Sequence, residues 1–264
     1  MRIEGATILV TGASSGIGEA LAPLLAERGA TVGIAARRAD RLEQTLEDCR
    51  RHSPQSRLWV TDLSDIDSAE RLVHDAWAAF GGLDCLVNNA AVGKRKLVTD
   101  HTPDDLDVVM RTNFMSPIRM NLALLPLMLA RGSGTIVNVA SGGGRFGIVH
   151  ESAYCASKFA LSGWSEAAAM DLADTPVEVK LIQPGAIATE IWEQRPGELP
   201  GLMGGEFATA AQCAAGIAEA LESEGFEFFV PAELKAHVDY KNSDVQGWID
   251  LMAGIGRAQM PPAP

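Results

Sequence analysis

The sequence is short of the residues that build disulfide frameworks and metal sites. Its four cysteines lie far apart and form no C-x-x-C pair, and its five histidines are scattered without metal-ligand spacing. These spacings argue against a disulfide scaffold and against a metal centre. The chain also lacks a signal-peptide pattern and any apolar run long enough to cross a bilayer. We therefore expect a reduced, cytoplasmic protein that holds no metal.

Positive charge is also scarce, with 22 lysines and arginines against 34 acidic residues and a formal net charge of −12. This balance argues against a nucleic-acid partner and against an anionic membrane surface. Local geometry must then hold any anionic ligand, and we expect a small molecule as the partner. The 264 residues contain no Ser/Gly/Pro linker and no composition shift. We expect one domain over residues 1–264.

The most informative stretch is an apolar run that breaks into glycines and serines. Residues 6–10 suit a parallel strand that is buried on both faces. They are followed by Thr11-Gly12-Ala13-Ser14-Ser15-Gly16-Ile17-Gly18. The glycines let the main chain approach a ligand closely, and the N-terminus of the following helix favours an anion. A dinucleotide pyrophosphate is the expected occupant, and a glycine-rich turn without a ligand is the alternative.

The next strand, over residues 30–36, ends in Ala36-Arg37-Arg38. In such β-α-β units an acidic residue here binds the adenosine ribose of NAD, whereas a basic residue accommodates the 2′-phosphate of NADP. The two arginines, with the Ser14 hydroxyl as a further donor, predict that NADP(H) is preferred over NAD(H). The alternative is a solvated pair of arginines at a strand end.

Polar residues follow two further strands, over residues 57–60 and 84–87. We expect Asp62 to face the adenine edge of the cofactor. It could equally cap the helix over residues 65–80, although Ser64 is the nearer cap candidate. Asn88-Asn89-Ala90 can lie against a ribose while the amide groups tie adjacent strands together. Ordinary turn asparagines are the alternative.

A helix is predicted from Thr102 to about Ala130. It contains Pro117, which has no N–H to donate to the carbonyl of Asn113 four residues earlier. This predicts a kink that frees the carbonyl, where an ordered water could bind. A proline that only shapes the helix is the alternative.

The strongest feature combines Ser141, which follows a strand over residues 134–139, with Tyr154 and Lys158. The last two are four residues apart and share one face of a helix predicted over residues 153–173. Such a pair occurs by chance on many helices, but here it follows Ser141 and the glycine-rich stretch of residues 11–18. The remaining predicted elements are a strand over 177–182, a flap over about 188–207, a helix over 209–222, a strand over 226–230 and a helix over 245–252.

In order and spacing, these motifs resemble the short-chain dehydrogenase/reductase family over nearly the whole chain. The resemblance implies an α/β fold, with a doubly wound, Rossmann-like parallel sheet of about seven strands and helices on both faces. It implies a homodimer or homotetramer, and a catalytic set of Asn113, Ser141, Tyr154 and Lys158. The expected cofactor-binding residues are Gly12, Ser14, Ser15, Gly16, Ile17, Gly18, Arg37, Arg38, Asp62, Leu63, Asn89, Ala90, Tyr154, Lys158, Pro184, Gly185, Ile187 and Thr189.

The residue types suit hydride transfer between a nicotinamide and a carbonyl or secondary alcohol. The Tyr154 phenol can serve as general acid or base if its pKa falls, and we expect the Lys158 ammonium to lower it. Ser141 would polarise the substrate oxygen, and Asn113 would hold a water that relays protons to Lys158. The alternatives are a non-catalytic NADP-binding regulator and a dehydratase or epimerase on the same fold.

The expected pocket is apolar, which favours a medium-sized ketone, aldehyde or alcohol as substrate. Arg145 and Arg195 could instead turn inward and bind an anionic group. His150 is expected in solvent and Cys155 to be an inert helix residue. The predicted wall and flap residues are Phe146, Ile148, Trp192, Leu199, Leu202, Met203 and Phe207.

Overall fold

The structure is a computed structural model that describes residues 1–201 and 207–259. Its strands are β1 (Thr7–Thr11), β2 (Thr31–Ala36), β3 (Arg57–Val60), β4 (Cys85–Asn88), β5 (Gly134–Val139), β6 (Val177–Pro184), β7 (Ile187–Ala188), β8 (Ala208–Thr209) and β9 (Glu227–Val230). Seven of them form one parallel sheet in the order β3-β2-β1-β4-β5-β6-β9. The short strands β7 and β8 pair separately.

Helices cover both faces of this sheet. They are α1 (Gly16–Glu27), α2 (Ala39–Arg50), α3 (Ile66–Phe80), α4 (Pro103–Met110), α5 (Ser116–Arg131), α6 (Ser152–Asp171), α7 (Ala210–Glu222), α8 (Leu234–Ser243) and α9 (Val245–Gln259). Along β1, Ile8 and Val10 pack with α1, α2 and α7, whereas Leu9 packs with α3 and α5 on the opposite face. The predicted doubly wound parallel sheet is confirmed.

The long helix predicted from Thr102 is not continuous. Thr102 caps α4 in a capping box with Asp105, but residues 111–115 then form a π-helical turn before α5 begins. Its signature is the bond from the Ser116 N–H to the Arg111 carbonyl, five residues earlier. Pro117 follows at once and lacks the N–H that a regular helix needs. The helix is irregular where the sequence predicts it, with Asn113 inside a π turn, and the freed Asn113 carbonyl stays a prediction.

The C-terminal part differs more from the expectation. Helix α8 was not predicted, and the last helix continues seven residues beyond Met252, to Gln259. Few residues of α8 are apolar, and only Leu234 and Val238 are buried. Its sequence therefore carries only a weak helical pattern of apolar residues. Leu234 and Val238 pack with Phe146 and Trp248 in a small cluster that Phe229 of β9 also contacts. Among the described helices, none is both long and apolar enough to cross a membrane.

A network of buried amides connects the sheet to the helices under its carboxyl edge. Asn88 Nδ2 donates to Asn121 Oδ1 at 2.7 Å and to Asn138 Oδ1 at 2.8 Å. Asn121 Nδ2 also donates to Asn138 Oδ1, and Asn138 Nδ2 donates to Ser165 Oγ on α6. All four side chains are buried. The network therefore ties β4, β5, α5 and α6 together.

Replacing Asn138 with Ala tests this network. Asn88, Asn121 and Ser165 each lose a partner, and a buried polar group left unpaired costs about 1–3 kcal/mol. We expect the free energy of unfolding in urea to fall by more than about 2 kcal/mol. The control Asn242→Ala, on an exposed face of α8, should change it by less than about 0.5 kcal/mol. Equal losses in the two variants would contradict the assignment.

Candidate active site

The carboxyl ends of the strands open into a cavity of about 1380 Å³. It lies where the strand order reverses between β1 and β4, which is where open α/β sheets bind ligands. Every predicted catalytic or cofactor-binding residue lines it except Gly18 and Asn113. Those two lie against residues that do line it. The sequence prediction therefore selected side chains that the fold brings to one place.

The glycine loop, residues 11–18, packs so closely against its neighbours that its glycine positions have no room for a side chain. Gly12 and Gly16 have φ values of +71° and +58°, in the left-handed region. A Cβ on Gly12 would lie 2.7 Å from the Cα of Ala90, and one on Gly18 would lie 2.5 Å from the Gly12 carbonyl oxygen. Helix α1 begins here, and Ser15 at its N-cap makes no side-chain capping bond. The first N–H groups of the helix are thus free for an anion.

The two arginines after β2 differ in their surroundings. Arg37 is exposed at the cavity edge. Arg38 donates to the Ser14 carbonyl at 3.2 Å and to Ser14 Oγ at 3.4 Å, and its Nη1 lies 2.7 Å from a carboxylate oxygen of Glu190. Glu190 is also 4.0 Å from Arg41. The guanidinium of Arg38 is already neutralised by a flap residue, which the sequence did not predict.

Asp62 does not cap helix α3, and neither does Ser64. The cap is Asp65, whose side chain accepts from the Asp67 N–H. Asp62 instead accepts from the backbone N–H and the hydroxyl of Ser64, in a turn that lines the cavity. The capping alternatives for Asp62 and Ser64 were wrong. The adenine role of Asp62 stays a prediction.

Asn89 and Asn113 hold backbone in place. Asn89 Nδ2 donates to the Thr11 carbonyl at 2.9 Å, which joins the loop after β4 to the glycine loop. Asn113 accepts from the Val92 N–H at 2.8 Å and donates to the Val92 carbonyl at 2.9 Å and to Ser157 Oγ at 3.0 Å. The amide of Asn113 thus fixes the cavity wall at Val92, and the relay water stays a prediction.

Ser141, Tyr154 and Lys158 meet at the base of the cavity. The Ser141 hydroxyl accepts from the Gly143 N–H, and its side chain is close enough to the Tyr154 phenol to act on the pKa of that phenol. Lys158 Nζ donates to the Val139 carbonyl at 2.8 Å and lies 5.7 Å from the centroid of the Tyr154 ring. The side chains of Ser141 and Tyr154 therefore line the same part of the cavity, with the Lys158 amine beside the tyrosine ring.

Burial dominates the electrostatics of this group. It raises the pKa of Tyr154, the hydrogen bond with Ser141 acts to lower it, and Glu151 and Cys155 raise it further. Burial also lowers the pKa of Lys158 to about 7. We expected the Lys158 ammonium to lower the pKa of Tyr154, but the amine is 2% exposed and bonded to a carbonyl. Desolvation lowers the fraction of Lys158 that is protonated at neutral pH, so less positive charge is present to lower the pKa of Tyr154.

The flap is anchored by a buried arginine that the sequence analysis missed. Arg95, which is 3% exposed, donates to the carbonyls of Ile191 and Glu193 at 2.6 and 2.7 Å and to that of Leu199 at 3.3 Å. The Leu199 N–H donates back to the Arg95 carbonyl. Glu198, also buried, lies 3.4 Å from Arg95. Local sequence offers no signal for this burial, because Lys94-Arg95-Lys96 resembles an exposed basic loop.

The predicted pocket wall is correct in part. Phe146, Ile148 and Trp192 line the cavity, but Leu199 and Phe207 do not. Leu199 is held by Arg95, and Phe207 packs edge-on against Trp192 at 5.3 Å. Leu202 and Met203 lie outside the described residues. Helices α8 and α9 supply apolar wall residues that were not predicted, namely Leu234, Trp248, Leu251, Met252 and Ile255.

The remaining flagged residues have varied positions. Arg145 is turned away from the cavity and pairs with Glu227 at 2.7 Å, whereas Arg195 lines the cavity and is exposed. His150 is half-buried rather than solvated, and burial lowers its pKa. Burial raises the pKa of Cys155 to about 12, so its thiol stays protonated, as an inert residue requires.

The family model described as short chain dehydrogenase matches residues 6–199. A relative from Anopheles gambiae, "Dehydrogenase/reductase SDR family protein 7-like", is 36% identical over 197 residues, which cover 72% of this chain and 61% of that protein. The match thus spans less than two thirds of that relative's length. An Arabidopsis thaliana "NADPH-dependent pterin aldehyde reductase" is 37% identical over 190 residues, which cover 72% of this chain and 78% of that protein.

A solved structure has the same fold. It is a short chain dehydrogenase/reductase from Burkholderia phymatum in complex with NAD, with a TM-score of 0.85 and 23% identity, covering 100% of this chain and 99% of that one. At this identity the likeness speaks for the fold alone. The family-model match extends over more than half of the residues, and the relatives agree with it. The chain belongs to the short-chain dehydrogenase/reductase family.

Proposed function

We propose that this chain is an NADP(H)-dependent oxidoreductase that transfers a hydride between the cofactor and a carbonyl or secondary alcohol, with Tyr154 as general acid or base. One observation carries the proposal. Ser141, Tyr154 and Lys158 lie together in the cavity that the glycine loop also lines. Family membership supports this reading.

The residues of the glycine loop fit a dinucleotide. The close approaches at Gly12 and Gly18 leave a surface of bare backbone at the N-terminus of α1, which suits a pyrophosphate. Asp62, Leu63, Asn89 and Thr189 line the same cavity. When bound, the nicotinamide supplies or accepts the hydride. The chain's own groups bind it, exclude water and handle the proton.

The chain's contribution to the reaction is proton transfer and orientation. Ser141 donates to the substrate oxygen and orients it, and Tyr154 protonates the oxygen as negative charge develops there. A bound negative charge would favour the protonated form of Lys158, which in turn favours the tyrosinate. Asn113 acts through the position of Val92. The apolar wall formed by Phe146, Ile148 and the α9 residues favours a medium-sized, largely apolar substrate.

A homo-oligomer is part of the proposal. The outer faces of α4, α5 and α6 carry exposed large apolar side chains, and such clusters are typical of subunit contacts. They are Leu106, Leu122, Leu129, Phe159 and Met170. The choice between a homodimer and a homotetramer and the cytoplasmic location stay predictions.

The catalytic role of Tyr154 is tested by Tyr154→Phe, which removes the proton donor and keeps the ring. We expect kcat with NADPH and a ketone panel to fall at least ~10²-fold, with the Kd for NADPH little changed. The matched control is Tyr240→Phe, because Tyr240 is the other tyrosine of the chain and is exposed. Near-full turnover of Tyr154→Phe would show that the mechanism is wrong.

Cofactor preference is tested at Glu190, whose carboxylate neutralises Arg38 and would oppose a 2′-phosphate. Glu190→Gln should tighten NADPH binding by about two- to fivefold, because exposed charge pairs are worth about 0.2–1 kcal/mol. NADH binding should stay the same. The control is Glu193→Gln, which changes an exposed flap residue and leaves Arg38 paired. Equal changes for both cofactors would speak against a phosphate site at Arg38.

Lys158 is tested through stability and pH. The pKa of a lysine in an unfolded chain is about 10.4, and burial lowers the pKa of Lys158 in the folded protein to about 7. Between these values the folded state binds fewer protons, so stability falls as pH falls toward 7. Lys158→Met removes this penalty. Without cofactor, we expect the variant to gain most stability over the parent near pH 7 and least near pH 10, measured by urea unfolding. A constant difference across this window would be inconsistent with a buried amine that titrates.

A further inference from the structure

Glu151 is a buried acid that the proposed mechanism does not use. It lies at the N-cap of α6, lines the cavity, and its side chain is 8% exposed. Its Oε1 is 3.9 Å from Arg95 Nη1, beyond hydrogen-bond distance. Its Oε2 has no hydrogen-bond partner within the described part of the chain. A carboxyl oxygen that is buried without a partner costs free energy, so it marks a position for a ligand group.

The surroundings of Glu151 explain why its own cluster cannot satisfy it. The guanidinium of Arg95 donates to flap carbonyls and lies closer to Glu198 than to Glu151. Lys94 Nζ is 3.7 Å from Glu198 and does not pair with Glu151. The positive charge near Glu151 is therefore already shared, and Arg95 cannot move without releasing the flap.

Glu151 lies at the start of the helix that carries Tyr154, and both residues line the cavity. The two residues are three apart, and residues with this spacing at the start of a helix lie on one face, about 5–6 Å apart at Cβ. Glu151 also acts on the pKa of Tyr154. We infer that a molecule whose carbonyl oxygen is hydrogen-bonded to Tyr154 can place a second polar group at Glu151, since both residues line the same cavity.

The protonation of Glu151 suits a neutral polar group. Burial raises its pKa to about 7, Arg95 acts to lower it, and Glu198 raises it further. Near neutral pH the carboxyl is therefore present in both forms, and it can either donate or accept a hydrogen bond. A hydroxyl can do the complementary part in each case. An ammonium group would meet the Arg95 charge beside it, which disfavours that occupant.

We propose that Glu151 is a specificity-determining residue that hydrogen-bonds a hydroxyl group carried within a few bonds of the reacting carbonyl. The preferred substrates are then hydroxyketones, or the corresponding diols, with an otherwise apolar skeleton. This inference rests on the proposed function, because it names the substrate class of the same site. The apolar wall accepts the skeleton, and Glu151 selects the hydroxyl.

The test compares matched pairs of ketones. Each pair has the same skeleton, with and without a hydroxyl one, two or three carbons from the carbonyl, and the readout is the ratio of kcat/KM within a pair. For the unmodified protein we expect one pair to favour the hydroxyketone about tenfold, the effect of a hydrogen bond to a buried acid. Glu151→Gln, which keeps hydrogen-bonding groups, should give an intermediate ratio, and Glu151→Met a ratio near one.

Controls separate this inference from the proposed function. Glu224→Gln, at an exposed residue after α7, should keep the parent ratio. Absence of any turnover with NADPH or NADH in the unmodified protein would overturn the proposed function and this inference together. Turnover with a ratio near one for every pair would overturn the inference alone. The inference would also be overturned if Glu151→Met lowered kcat/KM equally for both members of a pair, or if Glu151→Gln kept the parent's ratio. A higher kcat/KM for an aminoketone than for the matching hydroxyketone would overturn it as well.

Discussion

The reversal of strand order beside β1 determines where the cavity lies and what reaches it. Strand β1 pairs with β2 on one side and with β4 on the other. The loops that follow β1 and β4 therefore leave the sheet in opposite directions, and a crevice remains between them. The loops that begin there still touch, since a Cβ on Gly12 would contact Ala90. Asn89 bonds the two loops directly. The bare backbone of the glycine loop is thus a consequence of strand pairing.

Main-chain carbonyls hold two buried cations that line this crevice, Lys158 and Arg95. Lys158 is bonded to the Val139 carbonyl, and Arg95 donates to carbonyls of the flap. A carbonyl offsets only part of the cost of burying a charge, which is why burial lowers the pKa of Lys158. Lys158 and Glu151 both have pKa values of about 7, so a charge that binds beside them would shift their protonation.

The flap connects the two halves of the cavity. Near its start Glu190 pairs with Arg38 beside the glycine loop, and a few residues later Ile191 and Glu193 accept from Arg95 near Glu151. One short segment thus contacts both the glycine-loop side and the Glu151 side of the cavity. A change of charge at either end acts on the same stretch of backbone, so we expect ligand binding at one side of the cavity to affect the other side.

The sequence by itself determined the order of elements and the local motifs. Apolar runs and turn residues located the seven strands of the main sheet but not the short pair β7 and β8. The four-residue spacing of Tyr154 and Lys158 placed both on one helix face, because these signals act between near neighbours. Tertiary structure alone decided the burial of Arg95 and Glu151, the pairing of Arg38 with Glu190, and the closure of the cavity by α8 and α9. Each of these depends on which distant segment lies opposite, and a charged residue in a loop has the same local pattern whether water or protein surrounds it.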